Sequence, residues 1–161
     1  MQAVMISSAL RSEGMRSPIV REAYAYWRGK RDGAALPARA DIDPVEIPRL
    51  LPYVSLVERE DGTGRYRYRL FGSALVEGLG RDPTGQYLDD VYPDFDGSRS
   101  KRYRDQVFEM GKPSHRIGRP SLRFPKDFFC VERLYLPLAA DGRRVDMVMG
   151  VLVFSLDALE G

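Results

Sequence analysis

The chain has 161 residues, with 25 Lys and Arg against 23 Asp and Glu and a net charge of +2. That length suits one domain with a substantial core, and that charge excludes the basic footprint of a nucleic-acid-binding domain. A single cysteine, Cys130, excludes an intrachain disulfide, and no apolar run is long enough to span a bilayer as a helix. Arg11, Glu13 and Arg16 interrupt any signal-peptide core, so a cytoplasmic protein with no membrane contact is expected.

Residues 1–17 show no period and are expected to be frayed. Pro18 is suited to the first position of a helix. Ile19, Val20, Ala23, Tyr26 and Trp27 recur at helical spacing behind it, until Gly29 and Gly33 end the pattern. The same apolar stripe serves either as a lid on its own domain or as a dimerisation or docking face. Residues 18–52 are read as this helix and a Pro-rich capping segment, with residues 53–161 as the main domain. Within the segment, Asp43-Pro44 opens a short helix with Glu46 in a capping-box-like place, Pro48 begins another turn, and Pro52 ends it.

A first strand is expected from Tyr53 to Arg59, and Asp61-Gly62-Thr63-Gly64 has hairpin chemistry. The next stretch, Arg65 to Val91, organises the rest. Arg65, Arg67 and Arg69 alternate with Tyr66, Tyr68 and Leu70, which gives a strand with one basic face and one aromatic and aliphatic face. Ser73 is expected to cap a short helix carrying Leu75, Val76 and Leu79, which Gly78 and Gly80 allow the chain to leave at positive φ. Residues 81–85 have turn chemistry, and Tyr87, Leu88 and Val91 form a further helical turn. Ser98 or Ser100 caps a longer helix to about Met110, with Tyr103, Val107, Phe108 and Met110 facing inward. Strands follow at His115–Phe124, Phe128–Leu138 and Val145–Phe154, the last two joined at Asp141-Gly142. The last strand is apolar almost throughout, as in a central strand covered on both faces.

Two strands, short helices, one longer helix and three strands is an order that resembles a PAS domain. The residues that carry the resemblance are Gly80-Arg81-Asp82-Pro83-Thr84-Gly85-Gln86 after the second strand, Gly111-Lys112-Pro113 at the end of the long helix, and Leu136-Pro137-Leu138 before Asp141-Gly142. The block from Trp27 through Leu36-Pro37, Arg39, Asp41 to Pro44 and Leu50-Leu51-Pro52 is similar to stand-alone bacterial PAS-like proteins. The resemblance implies an α+β fold: a five-stranded antiparallel sheet with small helices on one face and the N-terminal helix outside. It implies a sensory or regulatory class of function without naming a ligand.

Other chemistries fit poorly. Residues 80–87 have the glycine spacing of a phosphate loop, but Gln86 and Tyr87 stand where the lysine and the metal-binding hydroxyl are required. His115, the one histidine, follows Gly111 and Pro113 and so falls outside the helix that carries the haem-ligating histidine in PAS relatives. A photoactive flavin site would need asparagines, and the chain has none; haem and such a flavin are therefore not expected, and Cys130 reads as a small buried residue. Asp94-Phe95-Asp96-Gly97 lacks the later ligands of a calcium loop, so no metal is expected.

An aromatic set remains: Tyr66, Tyr68, Tyr103, Phe108, Phe128, Phe129 and Tyr135. It is either plain core or the wall of a pocket with Arg116 among its polar anchors. The candidate pocket is Tyr66, Tyr68, Leu70, Leu75, Leu79, Tyr103, Val107, Phe108, Arg116 and Tyr135, and the candidate dimer or partner face is Ile19, Val20, Ala23, Tyr26 and Trp27. Tyr and Arg alone do not make an acid–base pair, so an enzyme is not expected. The expected function is a PAS module that binds a small molecule or a partner protein and signals through dimer or partner contacts. The alternative is a homodimeric interaction module with a filled core and no ligand.

Overall fold

The computed structural model describes Leu10, residues 12–125, Phe128 and residues 130–155. Five antiparallel strands form one sheet in the order β2-β1-β5-β4-β3. They are β1 (Val54–Arg59), β2 (Tyr66–Phe71), β3 (Ser114–Gly118), β4 (Cys130–Leu138) and β5 (Met147–Ser155). Among the described residues, four α-helices accompany them: α1 (Pro18–Gly29), α2 (Ser73–Leu79), α3 (Leu88–Val91) and α4 (Arg99–Met110). The last strand in sequence is thus the middle strand in space, which explains its apolar sequence. β3 is shorter than its sequence stretch and ends at Gly118, before Arg119-Pro120.

Alternation along each strand sorts the side chains between two layers. The cross-strand pairs Glu132↔Val153, Leu134↔Val151 and Leu136↔Met149 face outward, and Arg133↔Leu152 and Tyr135↔Gly150 face the small helices. α1 packs on β4 and β5 across the outer layer. Val20, Ala23 and Trp27 are buried there, and the Trp27 indole N–H donates to the Pro137 carbonyl at 2.9 Å. Ser17 caps the helix by accepting from the Ile19 amide, and Pro18 takes the first position.

This arrangement revises two expectations. Three of the five residues assigned to a dimer or partner face, Val20, Ala23 and Trp27, are spent on the chain's own sheet. Ile19 and Tyr26 are half-buried, and Tyr26 Oη is engaged by Asp43 N and Glu46. The stretch before the helix is also not frayed throughout. Met15 is fully buried, and Glu132 on β4 accepts from the amides of Arg16 (2.9 Å) and Ser17 (2.8 Å) as well as contacting His115 Nε2 at 2.7 Å. Residues 1–9 and 11 lie outside the described residues. One continuous core joins α1 and the capping segment to the sheet.

Local differences have local causes. Glu46 completes no capping box; its carboxylate takes the Tyr26 hydroxyl and Lys30 instead, while Asp43 caps the Val45 amide. Pro52 sits inside a 3-10 turn, Leu51–Tyr53, rather than closing one. Gly72, not Ser73, precedes the first helical residue of α2, and position 72 takes only glycine, since a Cβ there would lie 2.3 Å from the Leu51 carbonyl oxygen. Gly78 stays helical and packs near Phe128 and Phe154, whereas Gly80 turns the chain at φ 87°. Ser98 caps α4 through the Lys101 amide. Met110, at the end of that helix, is exposed. The basic face of β2 is partly neutralised, since Glu58 pairs with both Arg67 and Arg69.

Candidate functional site

A cavity lies between the inner layer of the sheet and the small helices. A bulge decides part of its floor. Leu56 pairs with Leu70 and Val57 with Tyr68, so Arg69 is an extra residue on β2. Before the bulge Tyr66 and Tyr68 face inward; after it the phase flips, Leu70 turns to the outer layer, and Phe71 takes the inward place opposite Ser55. Phe71, Leu75, Leu122, Phe124, Leu152 and Phe154 supply apolar walls. Phe124 meets Phe154 edge-on with ring centres 5.0 Å apart, and Phe128 stacks behind Phe154 at 4.4 Å.

The polar lining comes from Ser55, Tyr68, Tyr92, Ser100, Arg104, Ser121, Arg133 and Tyr135. Tyr68 Oη and Tyr92 Oη lie 3.0 Å apart, and burial pushes both hydroxyls above their ordinary pKa. Arg104 on α4 lies over the Tyr135 ring at 4.6 Å and donates to Ser100 one turn earlier. Arg133 on β4 projects from the same layer as Tyr135, and burial pushes its guanidinium below its ordinary pKa. Among the described residues, five buried side-chain polar atoms lack a hydrogen-bond partner. Four of them line this cavity: Ser55 Oγ, Arg104 Nε, Ser121 Oγ and Arg133 Nε.

The unfilled space between these side chains, mouth included, is about 440 Å³, but the cavity proper is only about 20 Å³, room for a water or two. Side chains from opposite walls therefore nearly meet across it. Gly150 keeps the floor low: a Cβ there would sit 2.7 Å from Ser55 Oγ and 3.5 Å from the Tyr135 ring.

Residues 15–153 match a protein family described as a PAS domain. The chain belongs to that family. The match includes α1 and the capping segment as well as the sheet, in agreement with their shared core. No curated protein matches the chain. Membership of the PAS family indicates a sensory or regulatory module in general terms, and among the described residues no helix is long and apolar enough to cross a membrane.

Of the ten residues proposed from sequence, this PAS cavity brings together Tyr68, Leu75 and Tyr135. Tyr66 lies outside it, donating to Asp105 and packed on Phe95 and Phe108. Leu79, Val107 and Phe108 are buried core, and Leu70 is on the opposite layer. Arg116 does project to the inner side, but its guanidinium lies 3.9 Å above the Tyr103 ring, away from the lining. Phe129 is outside the described residues. Sequence reasoning missed the rest of the lining, Ser55, Phe71, Tyr92 and Phe124 among it, and above all the two arginines. Both arginines were readable in principle: Arg133 shares the parity of Val131 and Tyr135, and Arg104 lies one turn from Ser100 and from Phe108 on the buried side of α4.

Proposed function

We propose that this PAS domain is a sensor whose signal is a small molecule held between the sheet and helices α2–α4, and that it reports to a partner protein or a second copy of itself. The observation that carries this reading is the cluster of four unpartnered buried polar atoms around one aromatic-walled cavity. Buried polar groups are almost always paired, and leaving one unpaired costs about 1–3 kcal/mol. A fold that carried four such groups for no purpose would be selected against; a ligand that pairs them removes the cost. Hydroxyls and guanidiniums on apolar walls suit a binding site better than proton transfer, which favours a sensor over an enzyme.

The narrowness of the cavity favours a second reading, a ligand-free interaction module with a filled core. Native mass spectrometry of gently purified protein separates the two. A defined extra mass on each subunit supports the sensor. A clean apo dimer that also gains no stability from any member of a broad metabolite set contradicts it and leaves the interaction module. The subunit number in the same spectrum tests self-association.

A further inference from the structure

The two cavity arginines are an electrostatic anomaly. Arg104 is 3% exposed and Arg133 is 7% exposed. Among the described residues, no carboxylate lies within ion-pair distance of either. The buried carboxylate of the same strand, Glu132, points to the other layer and is occupied by two amides and His115. Two like charges thus share one enclosure whose other polar groups are neutral hydroxyls, with Nε of each guanidinium unpaired. A guanidinium cannot escape this by losing its proton at neutral pH. Burying a charge without a counter-charge is among the most unfavourable arrangements in a protein interior. Water alone supplies hydrogen bonds but no negative charge, and the cavity holds little of it.

Resting on the ligand-sensor reading above, we infer that the cavity binds a small organic carboxylate. Its head is held between Arg104 and Arg133, with Ser55 Oγ as a further donor, and its apolar body lies against Phe71, Leu75 and Phe124. A planar carboxylate matches the donor fork of guanidinium, and the aromatic walls select an apolar body over a polyhydroxylated one. The enclosed space of about 20 Å³ is smaller than any such ligand, so only a small one, a single ring or a short chain, is admitted, and only as the wall side chains part.

Calorimetric titration and melting curves of the full chain with benzoate and benzamide, and with hexanoate and hexanamide, test this. Each pair shares a shape and differs in charge. The expected result is at least a tenfold tighter Kd for the acid of a pair, with a rise in melting temperature. Arg133→Met is expected to abolish that preference without lowering the melting temperature of the free protein. Arg104→Lys, which keeps the charge, is expected to retain part of the preference and guards against a variant that fails to fold. If an amide binds as tightly as its acid, the sensor reading stands and the carboxylate inference falls. An acid preference unchanged in both variants also overturns it, as does a melting temperature that drops by ten degrees or more in Arg133→Met, since the guanidinium is then satisfied within the chain. If none of the four compounds binds and the purified protein carries no extra mass, both readings fall together.

Discussion

Tyr68 and Tyr92 show how far a single pair of hydroxyls ties stability to solution conditions. An unfolded tyrosine ionises near pH 10. In the fold both ionise higher, chiefly because burial disfavours the phenolate. The stability this represents is complete below about pH 10 and is lost as pH rises from there through the folded-state values. The melting temperature should therefore fall steeply above pH 10, and less steeply in Tyr68→Phe/Tyr92→Phe; equal slopes would contradict the burial argument. Gly72 makes a purely steric case. Its missing Cβ would meet two backbone carbonyl oxygens at 2.3 and 2.4 Å, and backbone cannot step aside as a side chain can. Gly72→Ala should destabilise by about 3 kcal/mol or more in urea unfolding, and a loss under 1 kcal/mol would show that the Leu51–Tyr53 turn gives way.

Among the elements, α1 carries the main lesson. Its stripe was legible as a 3.6-residue pattern, but a stripe does not say whose surface it covers. Trp27 settles that, because its N–H reaches a carbonyl of β4 in the same chain. Trp27→Arg should accordingly unfold or aggregate the protein rather than release folded monomers; a soluble, folded monomer in sedimentation would reopen the partner reading. Glu132 is the polar counterpart of that stripe. Glu132→Ala removes the acceptor for two backbone amides ahead of α1 and should cost roughly 3 kcal/mol. Limited proteolysis should then cut before Pro18 at lower protease concentration, while an unchanged digest would mean that Met15 alone holds the segment. The strands were legible because alternation fixes their period and Gly-containing turns mark some of their ends, though β3 stops at Gly118, short of the expected Phe124. The bulge at Arg69 was not, because an extra residue leaves the alternation Arg-Tyr-Arg-Tyr-Arg-Leu intact in sequence and shifts its phase only in space.

For the molecule as a whole, the order of elements and the turn motifs pointed to the PAS family, to which the match over residues 15–153 assigns the chain, since that order and its turn glycines are set by local chemistry. The cavity was less legible. Aromatic residues announce a core but not which part of it stays open, and although parity and helical spacing put Arg104 and Arg133 on buried faces, nothing in the sequence says that they meet. Only the pairing of β4 with β5 and the packing of α4 bring them to one enclosure, on the layer opposite Glu132. Fold thus followed from periodicity, whereas the site depends on which charges end up without partners. The most direct test of that claim is the arginine Nε–Hε nuclear magnetic resonance spectrum of the protein, recorded with and without benzoate. Two Hε signals, lost selectively in Arg104→Lys and Arg133→Met, should resist solvent exchange and move downfield as the carboxylate binds. Two such signals that stay fixed while only solvent-exposed arginines respond would contradict the account.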